Sequence, residues 1–405
     1  MIKRLFSAVV ISALLLSLVV GLQVVGANSR TITVPDDYQS IQEAIGAAVE
    51  EDTIVVKSGV YTGNLVIDKS LTLIGNNRET TRIVGDQTGT TLLIKHSNVS
   101  VTGFTIQSPE SSLLIWNRKR GIHLLDVSNC NISGNSILRN AYHEGIWLYG
   151  ASENTITGNK VEGGDSGIKL EFSSSNIITN NSVLGNQEGI SLHEANLNSF
   201  HTNFVVNNTY GFVVSDSNDN SFYANNITSY DHGVLIGKPG GYVTHVTNNT
   251  FHHNNFVNNA VNFGTYQVVV GVNYFDDGKE GNYYSDYQGE DNNGDGIGDT
   301  PYIIDANNKD KYPLMLPINF TESSNPTPTP SSNPTINPTT SITSTPTITP
   351  SISPSNSPTQ QPTLEPSPTA DGRQTEDFAP TIIIIGLVAI AGAISLLVYF
   401  RQKKG

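Results

Sequence analysis

One short pattern returns at a fixed interval along the middle of this chain. GIWL begins at Gly145, GIKL at Gly167, GISL at Gly189, GFVV at Gly211 and GVLI at Gly233, each 22 residues after the last. A second marker keeps the same step: Asn154, Asn176, Asn198 and Asn220 each lead an Asn-x-(Ile/Phe)-x-x-Asn pattern. Periods of this size mark stacked repeat architectures, in which each unit buries its apolar face only against its neighbours. Each unit here holds β-branched or aromatic runs of three to five residues, broken by Gly, Asn, Ser and Asp. Helical repeats need amphipathic runs about twice as long, so the period reads as one coil of a parallel β-helix.

Within a strand, alternate side chains face opposite sides. Ile146, Ile168, Ile190, Phe212 and Val234 should stack into one inward column, and Leu148, Leu170, Leu192, Val214 and Ile236 into another. Trp147 and Tyr149 should face outward. Asn135, Asn159, Asn181, Asn203, Asn225 and Asn254 form a polar column whose amides suit a ladder of side-chain hydrogen bonds between coils. GIHL at Gly121 and NTFHHNNF from Asn249 extend the array with altered spacing. About ten coils fit between Ile54 and Phe275, making a rod of about 50 Å at the spacing of adjacent strands. The expected fold is therefore all-β: a single-stranded solenoid, right-handed because parallel crossovers almost always are. Residues 28–50 should supply an N-terminal strand and a capping helix, 51–272 the repeats, and 273–320 a C-terminal cap with an acidic Asp/Gly loop. In the capping helix, Ile41, Ala44, Ile45 and Ala48 would share the face that covers the first coil.

The two ends of the chain are apolar in different ways. Lys3 and Arg4 precede an apolar run that closes on Val25-Gly26-Ala27, the pattern of a signal peptide over 1–27. Residues 321–379 are dominated by Pro, Thr, Ser and Asn and read as an extended stalk. Thr381 to Phe400 carries no charge and is long enough, at about 1.5 Å per residue, to cross an apolar layer of about 30 Å, giving a transmembrane helix over 380–400. Arg401, Lys403 and Lys404 then hold a cytoplasmic tail, 401–405, and leave the body outside the cell. The expected protein is a single-pass cell-surface protein. Its sequons at Asn98, Asn131, Asn180, Asn207, Asn226, Asn248 and Asn319 suit a glycoprotein. A single cysteine, Cys130, excludes an internal disulfide, and a net charge of −14 excludes nucleic acid as a partner.

The opening segment TVPDDYQSIQEAIGAAVEEDTIVVKSGVYTGNLVIDKSLTLIGNN, the repeats, and the closing segment GNYYSDYQGEDNNGDGIGDTPYIIDANNKDKYPLM resemble the NosD-type parallel β-helix proteins of archaeal and bacterial surfaces. The resemblance covers about residues 31–317. It implies a right-handed β-helix of carbohydrate-associated repeats. The family's name also implies a copper-associated role, through members tied to copper supply for nitrous oxide reductase.

Three kinds of chemistry are open to such a body. For copper, soft ligands are scarce and the nine His are scattered. His143 and His193 fall two coils apart, and His252 and His253 are neighbours that in a strand would point to opposite faces. For calcium, Asp291, Asn293, Asp295 and Asp299 occupy positions 1, 3, 5 and 9 of a calcium loop, with Gly296 at the turn and Tyr302 where a bidentate Glu would stand. A polar Gly/Asp turn accounts for the same residues without an ion, and no cofactor is required by anything else in the chain. For polysaccharide, the outward face beside the GIxL strands offers Trp147, Tyr149, Lys169 and His193 as sugar contacts. Glu144, Asp165, Glu171 and Glu188 on that face are candidate catalytic carboxylates for a hydrolase, lyase or epimerase. The face has no paired Asp-Asp beside a coil turn and no Arg-x-Lys strand, and Lys169 is its one evident cation for a lyase. A non-catalytic protein that binds or presents to extracellular or envelope polysaccharide is therefore the expected function, with the enzyme and the copper-associated protein as alternatives.

Overall fold

A computed structural model describes residues 29–320 apart from 87, 108–119, 139–143, 238–243 and 266–268. The leader, stalk and anchor expected at the ends, and His143, lie outside the described residues. Among the described residues no helix is long and apolar enough to cross a membrane.

The repeats wind as a parallel β-helix of three strands per coil. One side is a sheet of ten strands, all parallel. The other two sides merge into one sheet of 17 strands, because Phe204–Ser215 and Asn226–Ile236 run unbroken around the corner between them. There are about nine coils rather than about ten. The reason is coil length: the register steps Leu65↔Leu92, Leu92↔Ile122 and Val234↔Phe263 each exceed the 22 residues of Ile146↔Ile168, so fewer coils fit in the same chain.

Both inward columns stack as expected and are buried, with Ile146, Ile168 and Ile190 paired in register and Leu148, Leu170 and Leu192 beside them. A third column, Ile156, Ile178, Phe200, Phe222, Phe251 and Phe275, lines the ten-stranded side. Its phenylalanines stack face to face with centroids 4.5 to 5.3 Å apart. The glycine that opens each repeat is there for room. A Cβ on Gly189 would lie 2.6 Å from the carbonyl oxygen of Gly211 and 2.6 Å from Cγ1 of Val205, and Gly167 and Gly211 are hemmed in the same way.

The corners use a different device. Gly134, Gly158, Asn180, Thr202, Ala224 and His253 all have positive φ, and each directly precedes a ladder asparagine. That left-handed residue swings the chain so that the next side chain points inward. Asn159 then donates from Nδ2 to Oδ1 of Asn181 at 3.1 Å and to the carbonyl of Ile132, while its own Oδ1 accepts from the backbone and side chain of Asn135. The pattern repeats through Asn181, Asn203, Asn225, Asn254 and Asn282. A second ladder runs through Asn154, Asn176, Asn198, Asn220, Asn249 and Asn273. Burying an amide is costly unless its groups are paired, and here each interior member is satisfied by the coils on both sides.

At the front, a helix α1 (Ile41–Ala47) is started by a capping box between Ser40 and Glu43, and buries Ile41, Ala44 and Ile45 in the common core. At the back, Asn308 and Asp310 receive the ends of the two ladders, and Tyr302 stacks on Tyr284 at 3.8 Å.

Candidate functional site

Side chains on the outer surface of the GIxL strands form rows, because the coils stack in register. His123, Trp147, Lys169 and Ser191 make one row, and Leu125, Tyr149, Glu171 and His193 the next. Trp147 does point out of the coil but is only 9% exposed. His123 stacks on its ring at 4.4 Å, and the Arg120 guanidinium lies over it at 3.8 Å. Its ring is thus covered by its own neighbours, which corrects the expectation that it offers a platform to a sugar. Tyr149 packs edge-on against Trp147 and against Phe172, and Phe172 is 44% exposed and touches His193.

The four carboxylates stand in different surroundings. Glu144 is buried and flanked by two cations, Arg120 at 3.3 Å and Lys169 at 3.9 Å. Lys169 also holds Glu171 at 3.1 Å. Glu188 accepts a hydrogen bond from the Ser166 hydroxyl at 2.8 Å, and Asp165 stands exposed on the turn before it. Burial, reinforced by the charge of Arg120, pushes the His123 imidazole down to about 4, so at neutral pH it stacks as the uncharged ring. Arg120 and His123 were missed in the sequence. Their signal is positional: Arg120 directly precedes a repeat glycine, as Glu144 and Glu188 do, and His123 is the GIHL counterpart of Trp147.

A few coils further on, Asn186, Gln187, Asn207, Thr209, Tyr210 and Tyr230 line an open groove of about 600 Å³. It forms where pairing between the two long strands slips at Asn208↔Ser229, and Tyr230 is left 73% exposed. The ring of Tyr210 rests on His232. No periodic rule points to this groove, since it arises from a departure from the period.

The acidic loop stays on the surface. Asp291 accepts amides from Gly294, Asp295 and Gly296, Asn293 accepts from the amide of Asp295, and Asp295 accepts from that of Ile297. Asp299 turns back to Asn292, which holds it below the ordinary carboxylate range.

A different cluster gathers on the ten-stranded side. His252, His253 and Asp277 are the one group of three among the described residues whose ligand-type atoms all lie within 4.8 Å of one another. The two Nδ1 atoms are 2.8 Å apart. The strand Thr250–His252 stops at His252, and His253 takes the left-handed corner with φ of 56°. Strand alternation therefore does not apply, and the two rings converge instead of pointing to opposite faces. His252 stacks under Tyr223, which stacks on His201. The Nε2 of His253 meets Oε2 of Glu280 at 2.7 Å.

A family model described as "Periplasmic copper-binding protein (NosD)" matches residues 45–289. The chain is 32% identical over 126 residues to a "Cell surface glycoprotein" of Methanothermus fervidus. That alignment takes in 31% of this chain and 19% of the relative, so the chain spans about a fifth of the relative's length. Among solved structures, the Dettilon tailspike protein superposes with a TM-score of 0.50 at 13% identity, over 63% of this chain and 66% of that one. At such identity the likeness is one of fold.

Copper is the ion that the family description names, and the donor atoms can be tested for it. Copper(I) favours thiolate and thioether ligands. The chain has one Cys and two Met. Cys130 is buried, and burial pushes its thiol up, away from the thiolate a metal needs. Copper(II) accepts imidazole and carboxylate, the donors that His252, His253 and Asp277 bring together. The residues fit the divalent ion and not the monovalent one.

Proposed function

The chain belongs to the NosD family, and on that premise we propose that it is a membrane-anchored cell-surface protein that binds extracellular or envelope polysaccharide without transforming it. The observation that carries this reading is the Tyr210/Tyr230 groove. Exposed aromatic rings stack on the apolar faces of sugars, and the surrounding Asn, Gln and Thr side chains match the donors and acceptors of hydroxyl groups. Tyr149, Phe172 and His193, an aromatic run at the other end of the GIxL strands, would offer a second contact. The name of the Methanothermus fervidus relative supports a surface location.

Binding is favoured over catalysis by the ion pairs. Glycoside hydrolysis needs one carboxyl that can carry and donate a proton, beside a second that acts as base or nucleophile. Glu144 lies between two cations and shares Lys169 with Glu171, so both carboxylates are taken up in ion pairs within the protein.

The rest of the chain fits a display role in this proposal. Residues 1–27 direct export, 321–379 form the stalk, 380–400 cross the membrane and 401–405 stay inside. Helix α1 and the segment from Tyr302 to Asp310 cover the two ends of a right-handed coil stack. Asp291, Asn293, Asp295 and Asp299 take a calcium ion that stiffens the closing segment. The test is retention of the detergent-solubilised full-length chain on immobilised uronate-rich and neutral polysaccharides, with product release followed in parallel. Retention without new reducing ends or unsaturated products is expected. No retention on any glycan sinks the proposal, and turnover lost in Glu144→Gln establishes the enzyme instead.

A further inference from the structure

The cluster on the ten-stranded side has no part in the polysaccharide reading. We infer that Nδ1 of His252, Nδ1 of His253 and the carboxylate of Asp277 together bind one divalent transition-metal ion, with copper(II) as the best match.

The two imidazole nitrogens already stand at a ligand-to-ligand distance. Metal–imidazole bonds of about 2.0 Å meeting at a right angle separate their nitrogens by about 2.8 Å, whereas a tetrahedral angle separates them by about 3.3 Å. The observed separation is 2.8 Å, the edge of a tetragonal site, which is the geometry copper(II) and nickel(II) prefer.

Each ligand is held by something else. The carboxylate of Glu280 takes the Nε2 proton of His253 at 2.7 Å, which leaves the lone pair on Nδ1. A carboxylate behind a metal-binding histidine is the usual outer support of such sites. The ring of His252 is fixed by stacking on Tyr223, 7° from parallel. Asp277 is fixed by the amides of Lys279 and Glu280, both donating to its Oδ1 at 2.9 Å. Both imidazoles are half-buried and Asp277 is exposed, so an ion has a way in.

The competing account is a single proton shared between the two Nδ1 atoms, with no ion. The full-length chain, stripped with chelator, is titrated with copper(II) chloride and separately with zinc(II) chloride by calorimetry. Electron paramagnetic resonance of the copper form then reports nitrogen ligands. One copper per chain, with hyperfine structure from two nitrogens and weaker zinc binding, is expected. His253→Asn tests the assignment with little risk to folding, since Asn readily adopts the left-handed conformation that His253 occupies. It should abolish stoichiometric uptake, and Glu280→Gln should weaken it by about 10- to 100-fold while circular dichroism stays unchanged. His96→Ala, whose imidazole bonds the Ser97 carbonyl, should bind as the parent does. Failure of the parent chain to take up either ion, or undiminished uptake by His253→Asn, overturns the inference.

Discussion

Asn282 donates to Oδ2 of Asp310 twice, from its backbone amide at 2.7 Å and from its side chain at 3.2 Å, so an asparagine ladder ends on a carboxylate with no exposed surface. Every earlier rung ends on the amide oxygen of another asparagine. The last rung alone can change its charge.

Burial pushes the Asp310 carboxyl up to about 6, against the opposing pull of its hydrogen bonds from Asn282, Tyr312 and Tyr284. In the unfolded chain it titrates near 3.9. Between those values the native state holds a proton that the unfolded chain has lost. Its contribution is therefore greatest below about pH 4, declines as the pH rises, and levels off above about pH 6. At about 1.4 kcal/mol per unit, the decline amounts to about 3 kcal/mol. Asp310→Asn should remove that slope and raise the urea midpoint at pH 7 above that of the parent. Parallel pH profiles for the two proteins would contradict this account of the ladder's end.

The repeat glycines predict an overpacking cost. In Gly189→Ala the new methyl group meets a backbone carbonyl of the next coil and the Val205 side chain, neither of which can swing away. A loss of about 1–3 kcal/mol is expected in chemical denaturation. Gly185→Ala gives a useful contrast: nothing lies within 4 Å of its Cβ, so any loss there comes from its positive φ alone.

Removing the exposed ring of the groove separates binding from folding. Tyr230 is 73% exposed, so Tyr230→Ala should leave the thermal midpoint within a degree or so of the parent, as surface changes generally do. Retention on the polysaccharide that the parent binds should fall at least about tenfold if the ring stacks on a sugar, and further with Tyr210→Ala. Unchanged retention in the double variant would move the binding surface elsewhere.

The calcium ion proposed for the closing segment predicts a rise in thermal midpoint on adding calcium, by mass action on the folded state. Asp291→Ala should abolish the rise, because Asp291 would supply the first ligand position of the proposed site and also accepts three loop amides. An equal response to calcium in this variant would remove the ion from the loop.

The repeat made much of the fold legible, since one step of 22 residues assigns every inward column once a single strand is placed in register. Coil number was less legible, because the front coils and the coil after Ile236 carry extra residues that look like loops until their partners are known. The candidate site was legible only in part. Outward direction could be read for Trp147, but its burial could not: that depends on Arg120 and His123 from the preceding coil.

The sequence by itself determined the stacked β-coil, the columns Ile146 to Val234 and Leu148 to Ile236, and the asparagine column from Asn135 to Asn254. Each follows from periodicity, and stacking in register turns a sequence period directly into a contact between coils. Only the tertiary structure decided that His252 and His253 converge, that Glu144 lies between two cations, and that Tyr230 opens a groove. These depend on what the repeat does not spell out: a left-handed conformation at His253 that ends strand alternation, a neighbour brought in from another coil, and a slipped pair between two long strands.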